Sequence, residues 1–98
     1  MIALVFTYEV ADSAGFERAY GPEGEWARFF RTGAGFVGTE LLRDVETQGR
    51  YLVVDRWETR DSYNEFVAAH KAEFMRRVDE AAFTYEQELR LGTFENVW

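Results

Sequence analysis

Two short stretches of this chain are apolar on both sides of an extended backbone, and they sharply limit the folds open to it. In "IALVFTYEV", residues 2 to 10, Ile2, Leu4, Phe6 and Tyr8 alternate with Ala3 and Val5. In "RYLVVDRWE", residues 50 to 58, Leu52 and Val54 alternate with Tyr51, Val53 and Trp57. Successive side chains of a strand point to opposite faces, so a strand apolar on both must be covered on both. Both stretches are rich in the β-branched and aromatic residues that suit a pleated surface. They are expected in the middle of a sheet.

The remaining segments supply the elements around them. Asp12 or Ser13 suits a helix N-cap, "GPEG" interrupts that helix, and Pro22 fits the first turn of a new segment. Trp26, Phe29 and Phe30 then follow at i, i+3, i+4 spacing, which defines one buried face. "FVGTELLRD", residues 36 to 44, reads as a second strand, joined to the third by "VETQG". Thr59 can cap the next helix, with Asp61 near its positive end. Tyr63, Phe66, Val67, His70, Phe74 and Val78 recur along that helix as one apolar stripe. "TYEQELRLG" sets Tyr85, Gln87, Leu89 and Leu91 against Glu86, Glu88 and Arg90, the pattern of an edge strand with one wet face.

The order βαββαβ is the ferredoxin-like, α+β plan, an antiparallel sheet with helices on one face and the two double-sided strands at its centre. The 98 residues make one domain, 1–98. Helices cover one face only, so the other is expected to meet a second copy, giving a homodimer. The tail "TFENVW", with Phe94, Val97 and Trp98, is apolar enough to reach across to that neighbour.

Composition narrows the partners. Eighteen acidic against eleven basic residues give a net charge of −7, which disfavours nucleic acid and anionic membrane surfaces. The N-terminus has no basic segment before its apolar run, and the chain has no cysteine, so a cytoplasmic protein is expected. One histidine leaves only carboxylates to complete a zinc site, so no metal site is expected. The glycines of "GAGFVG" run into a strand rather than opening a helix, unlike a phosphate loop.

"GFVGTELLRD" followed by "GRYLVVDRWETRDSYNEF" resembles the signature of the antibiotic biosynthesis monooxygenase (ABM) family of dimeric α+β barrels. The resemblance is specific from Gly35 to Phe66, and the order of elements agrees over the whole chain. It implies oxidation of a small aromatic or quinol-like molecule by O2 with no cofactor. Such chemistry needs a base to deprotonate the substrate, donors for the resulting anion, and a dry pocket. His70 is the expected base, since an imidazole exchanges protons near neutrality. Trp57 matches the tryptophan of the motif, and its indole N–H is the expected donor. Phe66, Trp26, Phe29, Phe30 and Tyr8 are expected to hold a planar ring. Each has a packing role as its alternative, and Asp55 is expected in a structural ion pair with Arg43 or Arg56. A haem-degrading branch of the superfamily relies on an asparagine of the first strand, a tryptophan and a histidine. Here that strand offers Thr7 and Tyr8, Phe66 lies near the tryptophan position, and only His70 matches, so haem is not expected. The second functional reading is a non-catalytic ligand-binding or structural homodimer.

Overall fold

The structure, a computed structural model, describes residues 1–97. Strand β1 (Ile2–Glu9) leads through α1 (Ser13–Tyr20) and the short α2 (Glu25–Phe30) to β2 (Phe36–Arg43) and β3 (Arg50–Trp57). Helices α3 (Arg60–Ala69) and α4 (Lys71–Ala81) and a 3-10 turn (Ala82–Thr84) then lead to β4 (Gln87–Glu95). The four-stranded sheet has the order β2-β3-β1-β4 with every pair antiparallel. The two strands apolar on both faces are its centre, as their alternation implied. Among the described residues, no helix is long and apolar enough to cross a membrane.

The helix ends follow from local chemistry. Asp12 caps α1 by accepting from the Gly15 N–H at 3.0 Å. Thr59 and Ser62 form a reciprocal box at the start of α3, the Ser62 N–H donating to Thr59 at 3.0 Å and the Thr59 N–H to Ser62 at 3.3 Å. Two glycines let β2 start hard against α3. A Cβ at Gly33 would lie 2.3 Å from the Phe66 ring, and Gly35, at φ +92°, has its own 2.7 Å from Ser62.

Ile2, Leu4, Phe6 and Tyr8 of β1, with Tyr51, Val53, Asp55 and Trp57 of β3, face the helices, where Phe16, Tyr20, Trp26, Phe29, Phe30 and Phe66 complete the core. Ala3, Val5, Thr7, Leu52, Val54 and Arg56 take the opposite, open face. No irregularity interrupts β3 at Arg56; the bulge of this hairpin lies on β2, between Phe36 and Gly38.

Two expectations need correction. The apolar stripe from Tyr63 to Val78 is not one helix. The backbone leaves helical geometry at His70 (φ −121°, ψ 31°), where α3 ends and α4 begins. There the His70 N–H and Nδ1 both satisfy the Phe66 carbonyl, each at 3.0 Å, which caps one of the carbonyls freed at the end of α3. The faces of β4 are also reversed. A bulge opposite Val5 and Phe6 leaves Leu91 unpaired, so Glu88 and Arg90 lie on the helix side while Leu89 and Phe94 join the open face. The pairing of Tyr8 with Glu88, whose carboxylate accepts from the Tyr8 hydroxyl, holds that register.

Candidate active site

A cavity of about 190 Å3 lies between the sheet and the helices. Its floor is sheet: Leu4, Phe6 and Tyr8 from β1, Val53 and Asp55 from β3, Glu88 and Arg90 from β4. Its walls are Tyr20, Trp26 and Phe30 from the first helical pair, Tyr63, Phe74 and Val78 from the second, and Tyr85. The rings interlock around it: Tyr8 lies 5.0 Å from Tyr20 and 5.0 Å from Tyr85, and Trp26 meets Phe74 edge-on at 5.3 Å. A cavity of about 150 Å3 holds benzene. This one has room for a substituted ring or a small fused pair.

The polar groups of the cavity are set by burial. Asp55 stands between Leu4 of β1 and Thr39 of β2, and Thr39 Oγ1 donates to its Oδ1 at 2.6 Å. Desolvation pushes the Asp55 carboxyl up to about 6, with the Thr39 hydrogen bond opposing that rise. The expected ion pair with arginine is absent. Arg43 is held by Glu17 at 2.8 Å, and Arg56 by Glu40 at 2.9 Å on the open face. Among the described residues, Asp55 Oδ2 has no hydrogen-bond partner and Asp55 no cation. The phenols of Tyr8 and Tyr20 are pushed far above the usual tyrosine range, burial being the main cause for both. Burial also raises Tyr63 and Tyr85. All four are therefore protonated donors at neutral pH. Arg90 Nη2 donates to Thr93 at 2.6 Å.

Of the residues expected at the site, the structure brings Tyr8, Trp26 and Phe30 to the cavity wall. Trp57, Phe66, Phe29 and His70 lie beside it in a packed cluster. Trp57 is fully buried, 5.6 Å from Phe30 and 5.4 Å from Phe66, and His70 stacks on Phe66 at 4.4 Å. His70 opens instead onto an outer groove with Glu25, Arg28, Glu73 and Arg77. The break between α3 and α4 turns it there, away from the cavity. Among the described residues the Trp57 indole Nε1 is buried with no hydrogen-bond partner, and Tyr63, edge-on to that ring at 5.6 Å, stands at the cavity wall.

Sequence reasoning missed Asp55, Tyr20, Tyr63, Tyr85, Glu88 and Arg90 as cavity residues. Asp55 alone left a signal, a carboxylate in strict alternation with Val53 and Trp57. Among the described residues, no three acidic or histidine side chains gather to ligate a metal ion.

The family model of antibiotic biosynthesis monooxygenase matches residues 25–78, more than half of the chain. The chain belongs to this family. The matched segment runs from α2 into α4 and includes Asp55, Trp57 and the Phe66 cluster. No curated protein sequence matches the chain. Among solved structures, it is similar over 99% of its length to 93% of a mutant of SnoaB, a cofactor-independent oxygenase from Streptomyces nogalater, at 21% identity and a TM-score of 0.81. It is similar over 100% of its length to 96% of a mutant of MhuD with two manganese protoporphyrin IX bound per active site, at 26% identity and a TM-score of 0.71. The family and its fold are thereby shown.

Proposed function

We propose that the protein is a cofactor-independent monooxygenase that oxidises a small phenolic or quinol-like aromatic with O2 in the cavity between sheet and helices. The observation that carries this reading is the cavity itself, a space of about 190 Å3 walled by rings in a core otherwise filled with them. The phenols of Tyr20, Tyr63 and Tyr85 and the Asp55 carboxylate supply the donors and the acceptor that an anionic intermediate requires. Membership of the family and likeness of fold to SnoaB support the reaction class. Oxygen uptake with a panel of hydroxylated naphthols and anthrones, in the presence of a metal chelator, is the test. Turnover is expected with the two-ring members. Binding without uptake across the panel would leave a ligand-binding protein instead.

The same reading takes the protein as a homodimer through the open sheet face. Leu42, Leu89 and Phe94 are each about half exposed there, at 45%, 56% and 52%. They flank Ala3, Val5, Leu52 and Val54 across the middle of the sheet. At about 25 cal/mol per Å2, covering several hundred Å2 of this face in each subunit contributes many kcal/mol before association costs. Light scattering is expected to give twice the chain mass. A cooperatively folded monomer at micromolar concentration would reject the dimer.

A further inference from the structure

Resting on the reading of the cavity as an aromatic-binding site, we infer that Asp55 anchors the ligand by accepting a hydrogen bond from an aromatic hydroxyl at Oδ2 and is the group that takes its proton, with Thr39 as the positioning residue. Asp55 is the carboxylate on the helix-facing side of the central strand β3, and it lies at the floor of the cavity. Thr39 occupies Oδ1 at 2.6 Å and so fixes the plane of the carboxylate, while Oδ2 has no partner among the described residues. Glu88, the other acidic residue of the cavity, already accepts from Tyr8. His70 lies outside. Among the described residues Glu88 Oε1 also lacks a partner, but Glu88 is exposed, so Asp55 is the sheltered carboxylate of the cavity with an unused oxygen.

The charged and titratable groups facing the cavity around Asp55 are Tyr8 on β1, Tyr20 on α1, Tyr63 on α3, Tyr85 after the 3-10 turn, and Glu88 and Arg90 on β4. From β2, Thr39 supplies an uncharged donor. The phenols remain neutral at physiological pH, because burial raises each of them. In the transfer, the aromatic O–H bond breaks, its proton forms a new bond to Asp55 Oδ2, and the electron pair stays on the ring oxygen. Charge moves from carboxylate to ring oxygen, and the Arg90 guanidinium at the cavity is the cation available to that ring. Burial makes this carboxylate more basic than an exposed one, which favours the transfer.

Binding of 2-naphthol and of its methyl ether, 2-methoxynaphthalene, followed by fluorescence between pH 5 and 7.5, tests this without requiring turnover. Free naphthol does not ionise in that range, so any pH dependence belongs to the protein. The affinity for naphthol is expected to fall several-fold, up to about tenfold, on acidification as Asp55 takes up its proton, while that for the ether stays flat. Asp55→Asn is expected to abolish the pH dependence and lower naphthol affinity at pH 7.5. Thr39→Val, which removes the donor favouring the ionised form, is expected to move the midpoint to higher pH, and Thr39→Ser to restore it. Equal pH dependence for both ligands, or naphthol binding indifferent to Asp55→Asn, would overturn the assignment of Asp55 while leaving the pocket. Binding of neither ligand would overturn both. The expected pH pattern with no oxygen uptake would reject only the oxygenase reading.

Discussion

The aromatic layer between sheet and helices has two ends made of the same kinds of residue, and only one of them is hollow. At the Trp57 end, Phe30, Phe36, Tyr63 and Phe66 surround the indole at 5.2 to 5.6 Å. At the Tyr8 end, the rings of Tyr8, Tyr20 and Tyr85 stand around open space with Asp55 and Glu88. Phenylalanine can interdigitate with no polar atom to satisfy, so a cluster dominated by it closes up. Phenols and carboxylates must be paired or reach solvent, and those demands keep side chains apart. A pocket in such a core is made less by adding space than by placing groups that cannot be packed over.

Substitutions at the two ends test that contrast. Trp57→Ala should have the largest effect, a loss of about 3–5 kcal/mol in denaturant unfolding, because a fully buried indole leaves a void the cluster cannot refill. A loss below about 1 kcal/mol would mean that this end is loosely packed too.

Asp55→Asn should act mainly through pH. The folded carboxyl keeps its proton up to about pH 6 while its ordinary value is 3.8. Its stabilising contribution is therefore fully present below about pH 4 and is lost as pH rises through 6. The difference corresponds to up to about 3 kcal/mol. Glu17 and Asp44, whose carboxyls are held low, respond in the opposite sense. The informative quantity is thus the wild-type curve minus the variant curve, which should slope downward from pH 4 to 7. A flat difference would show that Asp55 is well hydrated.

Val78→Phe should place a ring into the cavity and remove naphthol binding at a cost of no more than about 1–2 kcal/mol, since the added atoms enter open space. Greater destabilisation would argue that the cavity is already tight. The smallest effect is expected at His70. His70→Phe keeps the stacking on Phe66 and loses one side-chain hydrogen bond, so stability should fall by at most about 1 kcal/mol with oxygen uptake unchanged. Loss of uptake would move the proton acceptor to the outer groove.

How far each feature was legible depended on how local its cause is. The central position of β1 and β3 follows from alternation within eight residues, and the start of α3 from Thr59 and the residues just after it. Trp26, Phe30 and Tyr8 were readable as site candidates because large rings on buried faces are conspicuous. Asp55 was misread because adjacent arginines suggested a partner, whereas alternation put Arg56 on the far side of the sheet beside Glu40.

The chain by itself determined the order of elements, the two-sided apolarity of the central strands and the family, because side-chain period and turn chemistry are carried by neighbouring residues. Only the tertiary structure decided which rings border space and which close up. It alone decided that the helix breaks at His70, and that the β4 bulge brings Glu88 and Arg90 to the cavity. Those outcomes depend on contacts such as Tyr8 with Glu88 and Thr39 with Asp55, and each joins strands that only the folded sheet places side by side.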